Sequence, residues 1–308
     1  MYDIAVAVAL CLRAHTRVDV AWVVDSDLEP SASATEAVGL TPGGGRLGRL
    51  LNGALDDRLT EAGSGRLVTI ELDPLEVNAI GRRGSRVSCL VVPADSLPED
   101  LWKRLVAREP IGLMTRLDGD RVISTTSYAV GSGIDSETGA ESIDPADQAA
   151  MDLLARGASG AVRTHEGVIT VLCPVPRLAI LGGGPIVDAI AAVADVLGWS
   201  VQVGDVITIG GLAASLTPND MVVVISHDLD AAGAVLAEAL DGDAGYIGAL
   251  GARRMQEARA RWLADRGITD LTRIHGPAGL DIGAAAPGEV AVSVVAEAIA
   301  VRARQQIP

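Results

Sequence analysis

Leu178-Ala-Ile-Leu-Gly182-Gly183-Gly184-Pro185-Ile186-Val187 runs a short apolar strand straight into three glycines and then into a helical pattern. A second apolar strand, Val201-Gln202-Val203, ends at Gly204-Asp205. This order is the opening of a dinucleotide-binding βαβ unit. Gly182, Gly183 and Gly184 would let backbone N–H groups approach a pyrophosphate at a helix N-terminus, and Asp205 would hold a ribose. One residue departs from the usual fingerprint: Val187 stands where a third glycine normally permits close helix–strand packing, and its side chain is expected to push the helix outward.

Downstream of Arg177 strands alternate with helices. Strands are expected at Leu178–Leu181, Ser200–Val203, Met221–Ile225 and Ala244–Ile247. Helices are expected at Ile186–Leu197, Ala231–Leu240, Ala252–Arg266 and Pro287–Arg304. Such alternation implies a Rossmann-like, doubly wound parallel sheet with helices on both faces. Ligands of such sheets bind beyond the carboxyl ends of the strands, which makes the residues there the candidates. The third strand ends in Ser226-His227-Asp228, and the fourth leads through Gly248-Ala-Leu-Gly251 to Arg253-Arg254. Asp228 is read as a helix cap. An arginine opening a helix is unfavourable by the helix dipole, and Arg253 is easier to understand beside an anion. His275, in the Gly-rich segment before the last helix, completes the set.

The first half reads differently. Helices are expected at 2–15, Leu47–Glu61, Leu101–Arg108 and Pro145–Leu154, and a loop over Asp25–Gly45. Strands are expected at Val20–Val24, Leu67–Leu72, Val87–Val92, Ile111–Leu117, Arg121–Ser124 and Val168–Cys173. The order helix–Gly-rich turn–strand–strand–Pro occurs twice, ending at Pro93 and at Pro174, and suggests an internal duplication. Gly131–Asp147 reads as an exposed loop. Cys173-Pro-Val-Pro176 cannot join a helix or a central strand and marks the boundary. The expected organisation is a smaller α+β domain over 1–174 followed by the Rossmann-like domain over 177–308.

Composition narrows the function classes. The chain has 308 residues, 49% of them hydrophobic, and no Phe, so its core is built from Ala, Val, Leu and Ile. A formal net charge of −15 argues against nucleic acid and anionic membrane surfaces as partners. Cys11, Cys89 and Cys173 form no metal-ligand spacing and no disulfide framework, so no metal site is expected and a reducing cytoplasm is implied. The apolar run Ile4–Leu12 is too short to span a bilayer and lacks a basic flank. No nucleophile–base signature, no H-E-x-x-H and no Walker A lysine occurs, which lowers the odds of hydrolytic chemistry and leaves the catalytic residues unknown.

Ile225-Ser-His227-Asp228, Tyr246-Ile-Gly248-Ala-Leu-Gly251-Ala-Arg253-Arg254, Ile274-His275-Gly-Pro277-Ala-Gly279-Leu-Asp281-Ile-Gly283, and Glu289-Val-Ala-Val-Ser293-Val-Val-Ala-Glu297 together resemble the XdhC/CoxI family. These are accessory proteins of molybdenum hydroxylases such as xanthine dehydrogenase and carbon monoxide dehydrogenase. The resemblance spans nearly all of 177–308 and is weak over 1–176. It implies a cofactor-binding chaperone rather than a catalyst: a protein that holds molybdenum cofactor, as molybdopterin or its dinucleotide, and delivers it to the hydroxylase apo-enzyme. Members work with a cysteine desulfurase, commonly as homodimers. The resemblance places glycine at Gly45 and arginine at Arg83 where the family carries cysteines. Cys89, inside a strand pattern, reads as core rather than as a substitute. Two other readings use the same residues. One is an NAD(P)-dependent oxidoreductase with His227 or His275 as acid; the other is a docking protein that has lost its ligand.

Overall fold

The computed structural model describes residues 1–29, 35–128 and 144–306 and separates into two compact units, Met1–Pro174 and Val175–Pro308. The expected loop at Gly131–Asp147 lies mostly outside the described residues; its last residues open a helix.

The first unit contains α1 (Ala5–Arg13), β1 (Asp19–Ser26), β2 (Ala37–Leu40), β3 (Arg46–Gly48), α2 (Asp56–Ala62), β4 (Arg66–Glu71), α3 (Pro74–Ala79) and β5 (Arg86–Pro93). It continues with α4 (Leu101–Val106), β6 (Ile111–Asp118), β7 (Arg121–Tyr128), α5 (Pro145–Ala155), β8 (Gly160–Arg163) and β9 (Gly167–Leu172). Its strands form one sheet in the order β3-β2-β1-β5-β4-β7-β6-β9-β8. Beyond the edge strand β3, the order β2-β1-β5-β4 is repeated by β7-β6-β9-β8, with a helix before the first strand and another before the third strand of each set. This is the pattern that the two Pro-terminated segments suggested.

Several details differ from expectation: β3, α3 and β8 are additional elements. The presumed loop Asp25–Gly45 contains β2, whose four residues are all buried. The presumed helix Leu47–Glu61 is α-helical only from Asp56. Gly48, Leu51, Asn52 and Gly53 have positive φ and break the run, while Leu50, Leu51, Leu55 and Leu59 still reach the core. The helical spacing of those leucines therefore reported burial, not backbone. The antiparallel unit is also the longer of the two.

The second unit holds β10 (Arg177–Gly182), α6 (Pro185–Val196), β11 (Ser200–Gly204), α7 (Val206–Ala213), β12 (Met221–Ile225), α8 (Leu229–Asp241), β13 (Tyr246–Ala249), α9 (Arg253–Ala264), β14 (Ile274–His275) and α10 (Pro287–Gln306). All its strand pairs are parallel, in the order β11-β10-β12-β13-β14. Alternation along the strands divides the core into two layers. Leu178, Ile180, Met221, Val223 and Tyr246 pack with α6 and α10. Ala179, Leu181, Val222, Val224 and Ile247 pack with α7, α8 and Leu263 of α9. Burial on both faces is why these strands read as unbroken apolar runs.

Val187 does not hold α6 away from the sheet. Its side chain is buried in the layer between them. The close approach is made by Gly182 instead, where a Cβ would lie 2.3 Å from the Ile225 carbonyl oxygen. A fragment beginning at Val175 should unfold in one cooperative transition, because each face of its sheet already carries a covered core. A broad, baseline-like melt would show that it needs the first unit.

Candidate functional site

The chain passes from β10 to β11 on one side and places β12 on the other, so the strand order reverses at β10. In doubly wound sheets the ligand crevice opens at this reversal, beyond the carboxyl ends. Gly182, with φ +135°, turns the chain out of β10, and Gly184, with φ +98°, precedes Pro185 at the start of α6. A Cβ at Gly183 or Gly184 would meet no atom within 4 Å. The turn thus leaves open space above backbone at a helix N-terminus.

On the β12 and β13 side lies a cleft of about 590 Å³. Ile186 from the first turn of α6, Ile225, Leu250, Met255 and Ala258 give it apolar walls. Ser226, His227, Gly251, Arg254 and Arg259 supply its polar lining. Of the candidates read from sequence, His227 and Gly251 line this cleft, and the glycine turn at 182–184 stands at the start of the helix that contributes Ile186. Asp205 lies across β10, at the end of β11, and is exposed. One of its oxygens accepts from the Thr208 N–H at 2.9 Å and caps α7. That backbone hydrogen bond holds the Asp205 carboxyl below its ordinary value.

Arg253 points away from the cleft. Its side chain is 95% exposed and pairs with Glu257 one turn on, at 3.6 Å. Arg254 lines the cleft instead. Gly248 has a packing reason to be glycine: a Cβ there would sit 2.7 Å from the Tyr246 ring, which lies over it. The Tyr246 hydroxyl donates to Glu297 of α10 at 2.6 Å, and burial with this bond pushes its pKa well above the usual phenol value. Glu297 also accepts from the Gly279 N–H at 2.7 Å, and Ser293 donates to the Leu280 carbonyl. His275 stacks on Tyr246 with ring centroids 5.0 Å apart, and its Nδ1 is 3.7 Å from Glu297. The segment from His275 to Gly283 and the segment from Glu289 to Glu297 are therefore one device, a loop clamped to a helix.

Asp228 caps α8 as expected, accepting from the N–H groups of Asp230 and Ala231. Sequence reasoning missed Arg259, which is 2% exposed and reaches the carbonyls of Leu250 and Ser226. Its signal was position: it follows Met255 by four residues on the helix face turned toward Gly251.

In the first unit, Gly45 lies in the turn after β2, where its N–H donates to Thr41 Oγ1. Arg83 precedes β5 and exchanges backbone hydrogen bonds with Glu29. Leu40 pairs with Asp19 and Val87 with Ser26, so these two positions flank opposite ends of β1, roughly 20 Å apart at about 3.3 Å per residue. Cys89 is fully buried, and burial pushes its thiol up to about 12, which leaves no thiolate for chemistry. Among the described residues no His/Cys/Asp/Glu cluster could hold a metal ion, and no helix is long and apolar enough to cross a membrane.

A parallel doubly wound sheet with an open glycine turn at its strand reversal and a cleft beyond β12 and β13 is a Rossmann-type α/β domain. More narrowly, residues 178–298 match the family model described as the XdhC Rossmann domain. The chain is 30% identical over 135 residues to the molybdenum cofactor insertion chaperone PaoD of Escherichia coli K12, covering 43% of this chain and 42% of PaoD. It is 27% identical over 177 residues to the uncharacterized protein YqeB of the same organism, covering 48% of this chain and 32% of YqeB. The chain thus spans less than half the length of either relative. A crystal structure described as a xanthine dehydrogenase from Bacillus halodurans aligns over 97% of this chain and 95% of that one, at 18% identity and a TM-score of 0.42.

Proposed function

We propose that this chain is an accessory factor for a molybdenum hydroxylase, and that its second unit binds the molybdenum cofactor for delivery to the apo-enzyme. The observation that carries this reading is the XdhC Rossmann domain match over nearly the whole unit, with an insertion chaperone among its relatives. A pyrophosphate-bearing form of the cofactor fits the residues present. Gly183 and Gly184 offer open backbone at the start of α6, and His227, Gly251 and Arg254 line the cleft beside it. Once delivered, the cofactor supplies the target enzyme with its redox centre. The chain's own residues hold it, exclude water and release it. His275 and Gly248 support the site through packing, while Asp205 stands on the β11 side of β10, where it caps α7. A cysteine desulfurase partner, a homodimer and a cytoplasmic setting belong to the same reading.

Deletion of the gene should leave the hydroxylase expressed but low in molybdenum and activity. Gly183→Val places a side chain in the open space above the turn; this variant should bind the cofactor about tenfold more weakly and complement the deletion poorly. Normal activity and molybdenum content in the deletion strain would overturn the reading. The same turn would also serve NAD(P), so calorimetric titration of the purified chain with NADH and NADPH is the companion measurement. Tight binding of either, with unaffected hydroxylase, would favour the oxidoreductase.

A further inference from the structure

Arg259 is an unusual buried cation. It is 2% exposed, and among the described residues no carboxylate lies within ion-pair distance. Its Nη1 and Nη2 donate to the carbonyls of Leu250 and Ser226 at 2.7 and 2.9 Å, and Nη1 also approaches Gln256 Oε1 at 3.4 Å. Among the described residues its buried Nε has no partner. Burial lowers its pKa from the ordinary arginine value. A guanidinium kept in such surroundings is worth its cost where an anion shares the site.

The surroundings point the same way. The carbonyls of Ser226 and Leu250, just beyond the carboxyl ends of β12 and β13, would otherwise present partial negative charge to the cleft. Arg259 occupies both. The helix that carries it, α9, begins at the same cleft with Gly251, Ala252 and Arg254, and no side chain caps its N-terminus. Its first-turn N–H groups add positive character at that spot. The remaining walls are aliphatic.

We propose that this cleft is a second anion site of the domain, distinct from the glycine turn, which binds a compact heterocyclic body carrying an anionic group, with Arg259 as the fixed counter-charge and the α9 N-terminus as the second donor. The inference rests on the cofactor-binding reading and assigns it a ligand end: the glycine turn takes a pyrophosphate, and the α9 cleft takes the ring system with its own anion. Arg259 confers the preference for charge, while the apolar walls accept the ring.

The test uses the full-length chain and two fluorescent probes of similar size, pterin-6-carboxylate and 6-hydroxymethylpterin, which differ in charge. At low ionic strength the wild-type chain should bind the carboxylate about tenfold more tightly than the alcohol. Arg259→Met should erase that preference. Because this variant also releases two carbonyls and could misfold, Met255→Glu is the second probe: it keeps Arg259 and places a carboxylate in the cleft. It should lose the preference with an unchanged thermal transition. Arg254→Met should lose less, since an exposed charge is screened by solvent and salt. Failure of the wild-type chain to bind the carboxylate, equal binding of the two probes, or a preference that survives in folded Met255→Glu would each overturn the proposal. Any of these results beside a molybdenum-poor hydroxylase in the deletion strain would remove the α9 site and leave the accessory role standing.

Discussion

Asp220→Ala should cost the second unit about 3–5 kcal/mol, the usual penalty for removing one partner of a buried ion pair. The Asp220 side chain is 0% exposed. It accepts from the Arg177 N–H at 2.9 Å, from Arg177 Nε at 3.1 Å and from Nη2 at 2.7 Å. It also accepts from the N–H and hydroxyl of Thr217 at 3.0 and 2.9 Å. One carboxylate thus fixes the start of β10 to the turn that leads into β12. Alanine would strand a guanidinium with only 22% of its side chain exposed, and two Thr217 donors besides. The pair lies at the amino ends of the strands, away from the cleft, so ligand affinity of the remaining folded fraction should not change. Urea unfolding of the wild-type and variant chains measures the loss. A shift below about 1 kcal/mol would mean that water replaces the carboxylate at little cost.

The second large effect separates two neighbouring glycines. Gly182→Ala should destabilise the same unit by about 3 kcal/mol, from overpacking and an unfavourable backbone together. Its φ of +135° is one that only glycine adopts readily, and the new Cβ would press on the Ile225 carbonyl oxygen at 2.3 Å. That oxygen belongs to β12, the hydrogen-bonded neighbour of β10, and cannot retreat without opening the Gly182–Ile225 pairing. Gly183→Ala, one residue on, meets open space and should stay within about 0.5 kcal/mol of the wild type. Thermal melts of both variants decide the matter. Equal melting temperatures would show that the strand end relaxes, and that Gly182 is not the point of closest approach.

Gly182 also shows what the sequence could and could not disclose. The strand–glycine–helix order of 178–187 was legible because buried parallel strands are continuous apolar runs and because glycines punctuate them. The role of each glycine was not. The close contact expected of a third glycine at 187 had moved to the end of β10, a pairing visible only once β12 is placed beside it. The helix α7 was missed for a related reason. Val-Ile-Thr-Ile-Gly-Gly carries β-branched residues and glycines that disfavour helix in isolation, and it is helical because Asp205 caps it while Ile209 and Ala213 are buried. A capping box at Asp73–Glu76 was present in the sequence and would have revealed α3. The cleft was half legible. His227 and Gly251 follow strands, where such folds place ligands, but Arg259 lies mid-helix and meets the strand ends only through folding.

The repeated four-strand order of the first unit has a consequence for how that unit could have arisen and how it can change. Its two sets are joined in the sheet through β4 and β7; each packs an apolar cluster of its own on one face, but on the other face the two share a single one. Residues of α1, β1 and β5 from the first set share one apolar core with α4, β6 and β9 from the second. Trp22 of β1, fully buried, donates its indole N–H to Thr170 of β9 at 3.2 Å. Neither half alone could shelter that ring. The unit therefore resembles an obligate homodimer written on a single chain more than a string of independent repeats, whose members add or drop out singly. Its halves are free to diverge at their rims, as β3 and α3 in the first set illustrate, but they have to keep pace with each other at the centre.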